Sequence, residues 1–130
     1  MEPVANTAAA GDAPARPQGQ AIDLQHLARM TFGEPGLEAE VLTLFNRQAS
    51  VLLARMRGSS PAAAAAFAHT LKGSASGIGA WRVAEAADAV EKHALGCPAT
   101  GIGDAVSLLA AAVEEARAAI ADQLRPQGGR

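Results

Sequence analysis

The sequence predicts an all-α fold, an antiparallel four-helix bundle with a short additional N-terminal helix, on three observations. Apolar positions recur at spacings of three, four and seven over four long segments, and no strand-like alternation stands out. The apolar content, 49% of the 130 residues, is mostly Ala and Leu, both good helix formers, while aromatics are 3% and Tyr is absent. Short links rich in Gly, Pro and Ser separate the segments, and such links favour antiparallel neighbours.

Residues 1–20 carry Pro3, Pro14 and Pro17 and almost no large apolar side chain, so they cannot bury enough surface to offset their ordering entropy. A disordered Ala/Pro-rich leader is expected there, a flexible tail over 126–130, and one helical domain over 21–125. Ile22 to Met30 reads as the short first helix, with Asp23 as a candidate cap. Glu34-Pro35 opens a longer helix, because Pro is tolerated in a first turn. Its apolar stripe is read as Leu37, Val41, Leu44, Phe45, Leu52 and Met56, and Gly58 ends it.

Ser60-Pro61 combines a hydroxyl cap with Pro at the first helical position, and the helix it starts is expected to run to about Gly77. Gly77-Ile78-Gly79 breaks the pattern. The next helix, about Ala80 to Leu95, aligns Val83, Ala87, Val90 and Ala94. After the loop that contains Gly96-Cys97-Pro98 and Gly101, Asp104 is the expected cap of a last helix bearing Val106, Leu109, Val113, Ala116, Ile120 and Leu124.

Bulk properties exclude several functions. The net charge of −2 lacks the basic surplus of nucleic-acid binders. No run is long and apolar enough for a membrane helix, and Met1-Glu2-Pro3 lacks the basic and apolar regions of a secretory signal. A cytoplasmic protein is expected. Cys97 is the single cysteine and reads as an unreactive thiol; no metal-type Cys or His spacing exists, and His26 and His93 read as incidental.

The informative stretch is Phe67 to Gly77. On a helix, Ala64, Phe67, Ala68, Leu71, Ala75 and Ile78 share the core-facing stripe, and His69 points roughly away from Leu71, toward solvent. Around it on the helix surface lie Ala62, Ala65, Ala66, Lys72, Gly73 and Ser76, all small except Lys72. A neutral imidazole is a nucleophile, and attack on an activated phosphoryl group would create a strongly anionic product that Lys72 could offset in part. Gly73, in a helix interior, costs about 0.5–1 kcal/mol relative to Ala, and close approach by a partner explains it economically. An exposed His followed by a Lys is otherwise ordinary for a solvated helix face; the Gly is the unusual element.

The string Ala68-His69-Thr70-Leu71-Lys72-Gly73, followed by Gly79-Ala80, Ala87 and Val90-Glu91, resembles the histidine-containing phosphotransfer (HPt) domain family. The similarity spans about Ile22 to Leu124, with Ile22-Asp23-Leu24 and Leu44-Phe45 resembling the family's lead-in helices; Val83 and Val90 stand where Leu is commoner. The resemblance implies a phosphocarrier of bacterial two-component signalling without kinase or phosphatase activity of its own. His69 would be the phosphoacceptor, at Nε2, with Lys72 its charge neighbour and Gly73 the steric clearance. Family members often place a polar side chain from an adjacent helix near the imidazole, and Gln48 is the candidate. The implied partner is the receiver domain of a response regulator or hybrid histidine kinase, which would bring the Mg²⁺; no cofactor, nucleic acid or membrane is implied, and a monomer is expected.

An enzyme reading fares worse. No Gly-x-x-x-x-Gly-Lys-Ser/Thr loop is present, and Thr70 follows His69 where a histidine kinase usually carries Glu or Asp. Two other readings stay open: a non-catalytic helical module that docks a receiver or kinase without carrying phosphate, and a purely structural bundle.

Overall fold

A computed structural model describes residues 20–125, so the expected tail and all of the expected leader but Gln20 lie outside the described residues. Five helices make up the described chain, with no strand among those residues: α1 Leu24–Met30, α2 Pro35–Met56, α3 Pro61–Ile78, α4 Trp81–Ala94 and α5 Ile102–Leu124. Each long helix packs on two others, α2 and α4 both on α3 and α5, and α1 lies on α3.

Caps set most of the boundaries. Asp23 accepts from the His26 backbone N–H at 3.1 Å, so α1 starts one residue later, and Ile22 and Leu27 are buried at the two positions of a hydrophobic staple. Ser60 accepts from the Ala63 N–H, with Pro61 at the first helical position. α3 runs past Gly77 to Ile78 and stops at Gly79, whose φ of +80° is the left-handed stop that suits glycine. α4 begins at Trp81 and ends at Ala94, inside the expected bounds. Asp104 is not the cap of α5: Gly101 occupies that position at φ +74°, and Asp104 falls in the first turn, where a carboxylate still suits the helix dipole.

The main core is a cluster of mostly aliphatic side chains shared by all five helices, among them Leu27, Leu42, Leu71, Val90 and Leu109, with a smaller cluster of Ala64, Ala65 and Ala94. In α2 the stripe read from sequence holds in part. Phe45, Leu52 and Met56 are buried and Val41 packs against the core, whereas Leu37 and Leu44 are exposed and Leu42, Ala49 and Leu53 are buried instead. Spacings of three and four fit two overlapping stripes on this Leu-rich helix, and contact with both α3 and α5 selects the one that includes Leu42. Leu124 is likewise half exposed at the free end of α5.

Candidate functional site

The α3–α4 hairpin builds the site. Only Gly79 and Ala80 separate the two helices, and the Ala80 N–H returns to the Ala75 carbonyl at 2.8 Å. Antiparallel register follows from so short a link. His69 lies eleven residues before Ala80 and Glu91 eleven after; Lys72 and Asp88 lie eight before and eight after. The structure pairs them in that order.

His69 Nδ1 is 3.1 Å from Glu91 Oε2. The other oxygen of Glu91, Oε1, accepts from Lys72 Nζ at 2.9 Å, and Lys72 Nζ also donates to Asp88 Oδ1 at 3.1 Å. Asp88 Oδ2 then meets Lys92 Nζ at 2.9 Å. The result is an alternating chain, His69–Glu91–Lys72–Asp88–Lys92, in which each carboxylate spends one oxygen on each neighbour.

Charge is fixed along this chain. The Lys72 hydrogen bond is the first cause holding the Glu91 carboxyl below its usual range, and His69 adds to it. Asp88 is held low by Lys92 and then Lys72, and Lys72 is raised by Glu91 and then Asp88. All three are therefore ionised at neutral pH. An ionised carboxylate can only accept, so the ring nitrogen facing it carries the hydrogen. In the neutral ring that leaves the lone pair on Nε2, which has no protein partner among the described residues. The His69 side chain is 68% exposed and Glu91 only 19%, so the carboxylate sits beneath a ring open to solvent.

The glycines of α3 add clearance. A Cβ built on Gly73 or on Gly77 meets no atom within 4 Å, so packing inside the chain demands glycine at neither. Gln48 lines a groove between α2 and α3 with Val41, Leu44, Phe45, Ser74 and Ile78, and it is not part of the His69–Lys92 chain of hydrogen bonds. His26 stacks edge-on against Trp81, with ring centroids 4.9 Å apart, and His93 Nδ1 donates to the Thr100 carbonyl at 3.0 Å. No group of His, Cys, Asp and Glu among the described residues could hold a metal ion, and none of their helices is long and apolar enough to cross a membrane.

The family model of the Hpt domain matches residues 40–123, from within α2 to the end of α5. The chain belongs to the Hpt domain family. Hpt domains serve histidine phosphotransfer in phosphorelays and interact there with receiver domains. The matched span includes His69 and its whole chain of partners, whereas α1 lies outside it. Neither the curated proteins nor the solved structures contain a match to this Hpt domain. Three members of its site are not legible from the spacing on α3: Glu91 enters the sequence analysis only through the resemblance, and Asp88 and Lys92 do not enter it, although counting outward from Gly79-Ala80 leads to Glu91 and Asp88.

Proposed function

We propose that this Hpt domain carries a phosphoryl group on Nε2 of His69, exchanging it with aspartates of receiver domains in a multistep His-Asp phosphorelay. The observation that carries the reading is the exposed ring with Nδ1 committed to Glu91 and Nε2 free. On this reading the four long helices form an antiparallel bundle that serves as a rigid mount for the ring, in a cytoplasmic monomer.

The chemistry is a transfer between two heteroatoms. The Nε2 lone pair attacks phosphorus, a P–N bond forms, and the P–O bond to the receiver's aspartate breaks, its electron pair leaving on that carboxylate. Attack turns the neutral ring into a cation. Glu91, already in contact with Nδ1–H, offsets that cation and holds the ring's orientation, as an acidic residue does for a catalytic imidazole elsewhere. Lys72 offsets charge on the phosphoryl oxygens. The onward step reverses the first, so a bound cationic ring that leaves readily suits a relay. Mg²⁺ and the acidic residues that hold it belong to the receiver.

Gly73 leaves α3 bare one turn from the ring and Gly77 extends that bare strip by a further turn, and the receiver docks over them and over the neighbouring α2–α3 groove, where Leu44 is 52% exposed. Gln48, on the wall of that groove, supplies a polar contact to the docked partner. The test is transfer of label from a phosphorylated receiver domain to the wild-type chain and to His69→Gln. Label on the wild type alone, released by acid, is the expected result; equal labelling of both rejects His69. Receiver binding that survives His69→Gln, with no label on the wild type, would favour a docking module.

A further inference from the structure

We propose that Asp88 is a positioning residue that governs how long a phosphoryl group stays on His69, by restraining the Lys72 ammonium. The inference rests on His69 being the acceptor. It starts from how Lys72 is shared. Two of the three N–H bonds of its ammonium are taken, one by Glu91 and one by Asp88. Glu91 also holds the imidazole, so it cannot give up its place without loosening the ring. Asp88 makes no hydrogen bond or ion pair with His69; its other oxygen is engaged by Lys92.

The chain of two carboxylates and two ammoniums is neutral before transfer. A phosphoryl group adds about −1.5 to −2 charge. Lys72 keeps one N–H for it, but any shift of the ammonium toward His69 stretches the bond to Asp88, which pairs a turn away from the His69–Glu91 contact. The pull of Asp88 on Lys72 therefore opposes the pull of the phosphoryl oxygens. Lys92 weakens the first pull by sharing the Asp88 charge, so the two residues act with opposite signs.

Hydrolysis reads the balance. Water attacks phosphorus, the P–N bond breaks with its electron pair returning to Nε2, and inorganic phosphate leaves. The transition state for such transfers is loose and metaphosphate-like, with negative charge moving from the phosphoryl oxygens to the leaving nitrogen. A cation on those oxygens favours the ground state and slows the loss. Freeing Lys72 lengthens the lifetime of the phosphohistidine; tethering it shortens that lifetime.

The experiment loads the full chain with phosphoramidate, a small donor that needs no receiver, and follows the phosphohistidine by ³¹P NMR, with circular dichroism as the check on folding. Asp88→Asn is expected to lengthen the half-life about two- to fivefold, the scale of a half-exposed ion pair. Lys92→Met is expected to shorten it. In a Lys72→Met background, Asp88→Asn is expected to change nothing, because Asp88 acts through Lys72. An unchanged half-life in Asp88→Asn overturns the inference while leaving His69 as acceptor. So does an Asp88→Asn effect that persists without Lys72, which would be a general field and not a restraint. A wild-type chain that takes no phosphoryl group on His69 removes the acceptor reading and this inference with it.

Discussion

Replacing Gly73 separates what the fold wants from what the partner wants. The glycine sits in the middle of α3, and its φ is not in the left-handed region. An added Cβ meets no atom within 4 Å. Alanine is therefore free of strain there, and it removes the backbone entropy that glycine loses on folding, so Gly73→Ala is expected to stabilise by about 0.5–1 kcal/mol. For a domain of this size that is a rise in Tm of about 2–8 °C. Gly73→Trp is expected to fold as well as the wild type, because tryptophan is no worse than glycine in a helix interior and its ring can lie in solvent. In transfer the two variants part. The indole stands where the receiver must come within bonding distance of Nε2, and a displacement of about 1 Å costs about a hundredfold in rate. Thermal unfolding and label transfer from a phosphorylated receiver, measured on the same preparations, check both halves. A destabilised Gly73→Ala would mean that the fold uses the glycine, and full transfer by Gly73→Trp would mean that the receiver approaches from another side.

Glu91→Gln keeps the shape of the side chain and removes the charge. It is expected to lower the Nδ1–H fraction of His69, read by ¹⁵N NMR, and to slow transfer about tenfold, the lower end for losing a residue that orients a reactive imidazole. A tautomer fraction and a rate both equal to wild type would strip Glu91 of that part. Asp23 gives a pH test. Its carboxyl is held below the ordinary 3.8, first by the hydrogen bond from Trp81 Nε1 at 3.0 Å. A carboxyl depressed in the folded state contributes stability above its unfolded pKa and loses that contribution as pH falls through the folded value. Wild type is therefore expected to lose stability in urea below about pH 4 more steeply than Trp81→Phe, and parallel losses would separate Asp23 from the acid response.

Helix existence was legible because Ala- and Leu-rich segments with apolar spacings of three and four have few other ways to bury a face. The caps at Asp23 and Ser60 were legible because a short polar side chain before a helical run has a local job. Gly101 was not, since Asp104 offered the stronger local signal and the left-handed turn that starts α5 is set by the loop behind it. The phase of α2 was ambiguous for a different reason. Local spacing fits a stripe through Leu44 and another through Leu42, and only the neighbours α3 and α5 decide between them. At the site, His69, Lys72 and Gly73 share one helix, so periodicity alone brought them together. Glu91 and Asp88 stand on the next helix, and reaching them takes the register of the hairpin, which depends on where α3 stops. The Trp81–Asp23 bond spans 58 residues and leaves no local trace.

That dependence on where α3 stops makes Gly79 the most informative corner of the molecule. At φ +80° it ends the helix, and a Cβ there would stand 2.9 Å from both Cβ and the backbone oxygen of Asp23. Asp23 in turn donates its N–H to the Gly79 carbonyl at 2.9 Å and accepts from Trp81, the first residue of α4. So α1, outside the matched span, clasps the turn that sets which residue of α4 lies across from His69. Gly79→Ala carries about 1–3 kcal/mol of backbone strain, plus a clash with backbone atoms that cannot rotate away. If the clasped corner holds the register, this variant loses stability and also weakens the Nδ1–H contact to Glu91, about 16 Å along the helices at 1.5 Å per residue. ¹⁵N NMR of His69 in the folded fraction distinguishes the two effects. Lost stability with an unchanged His69 signal would assign the register to the packed faces of α3 and α4, leaving the corner a stop and nothing more.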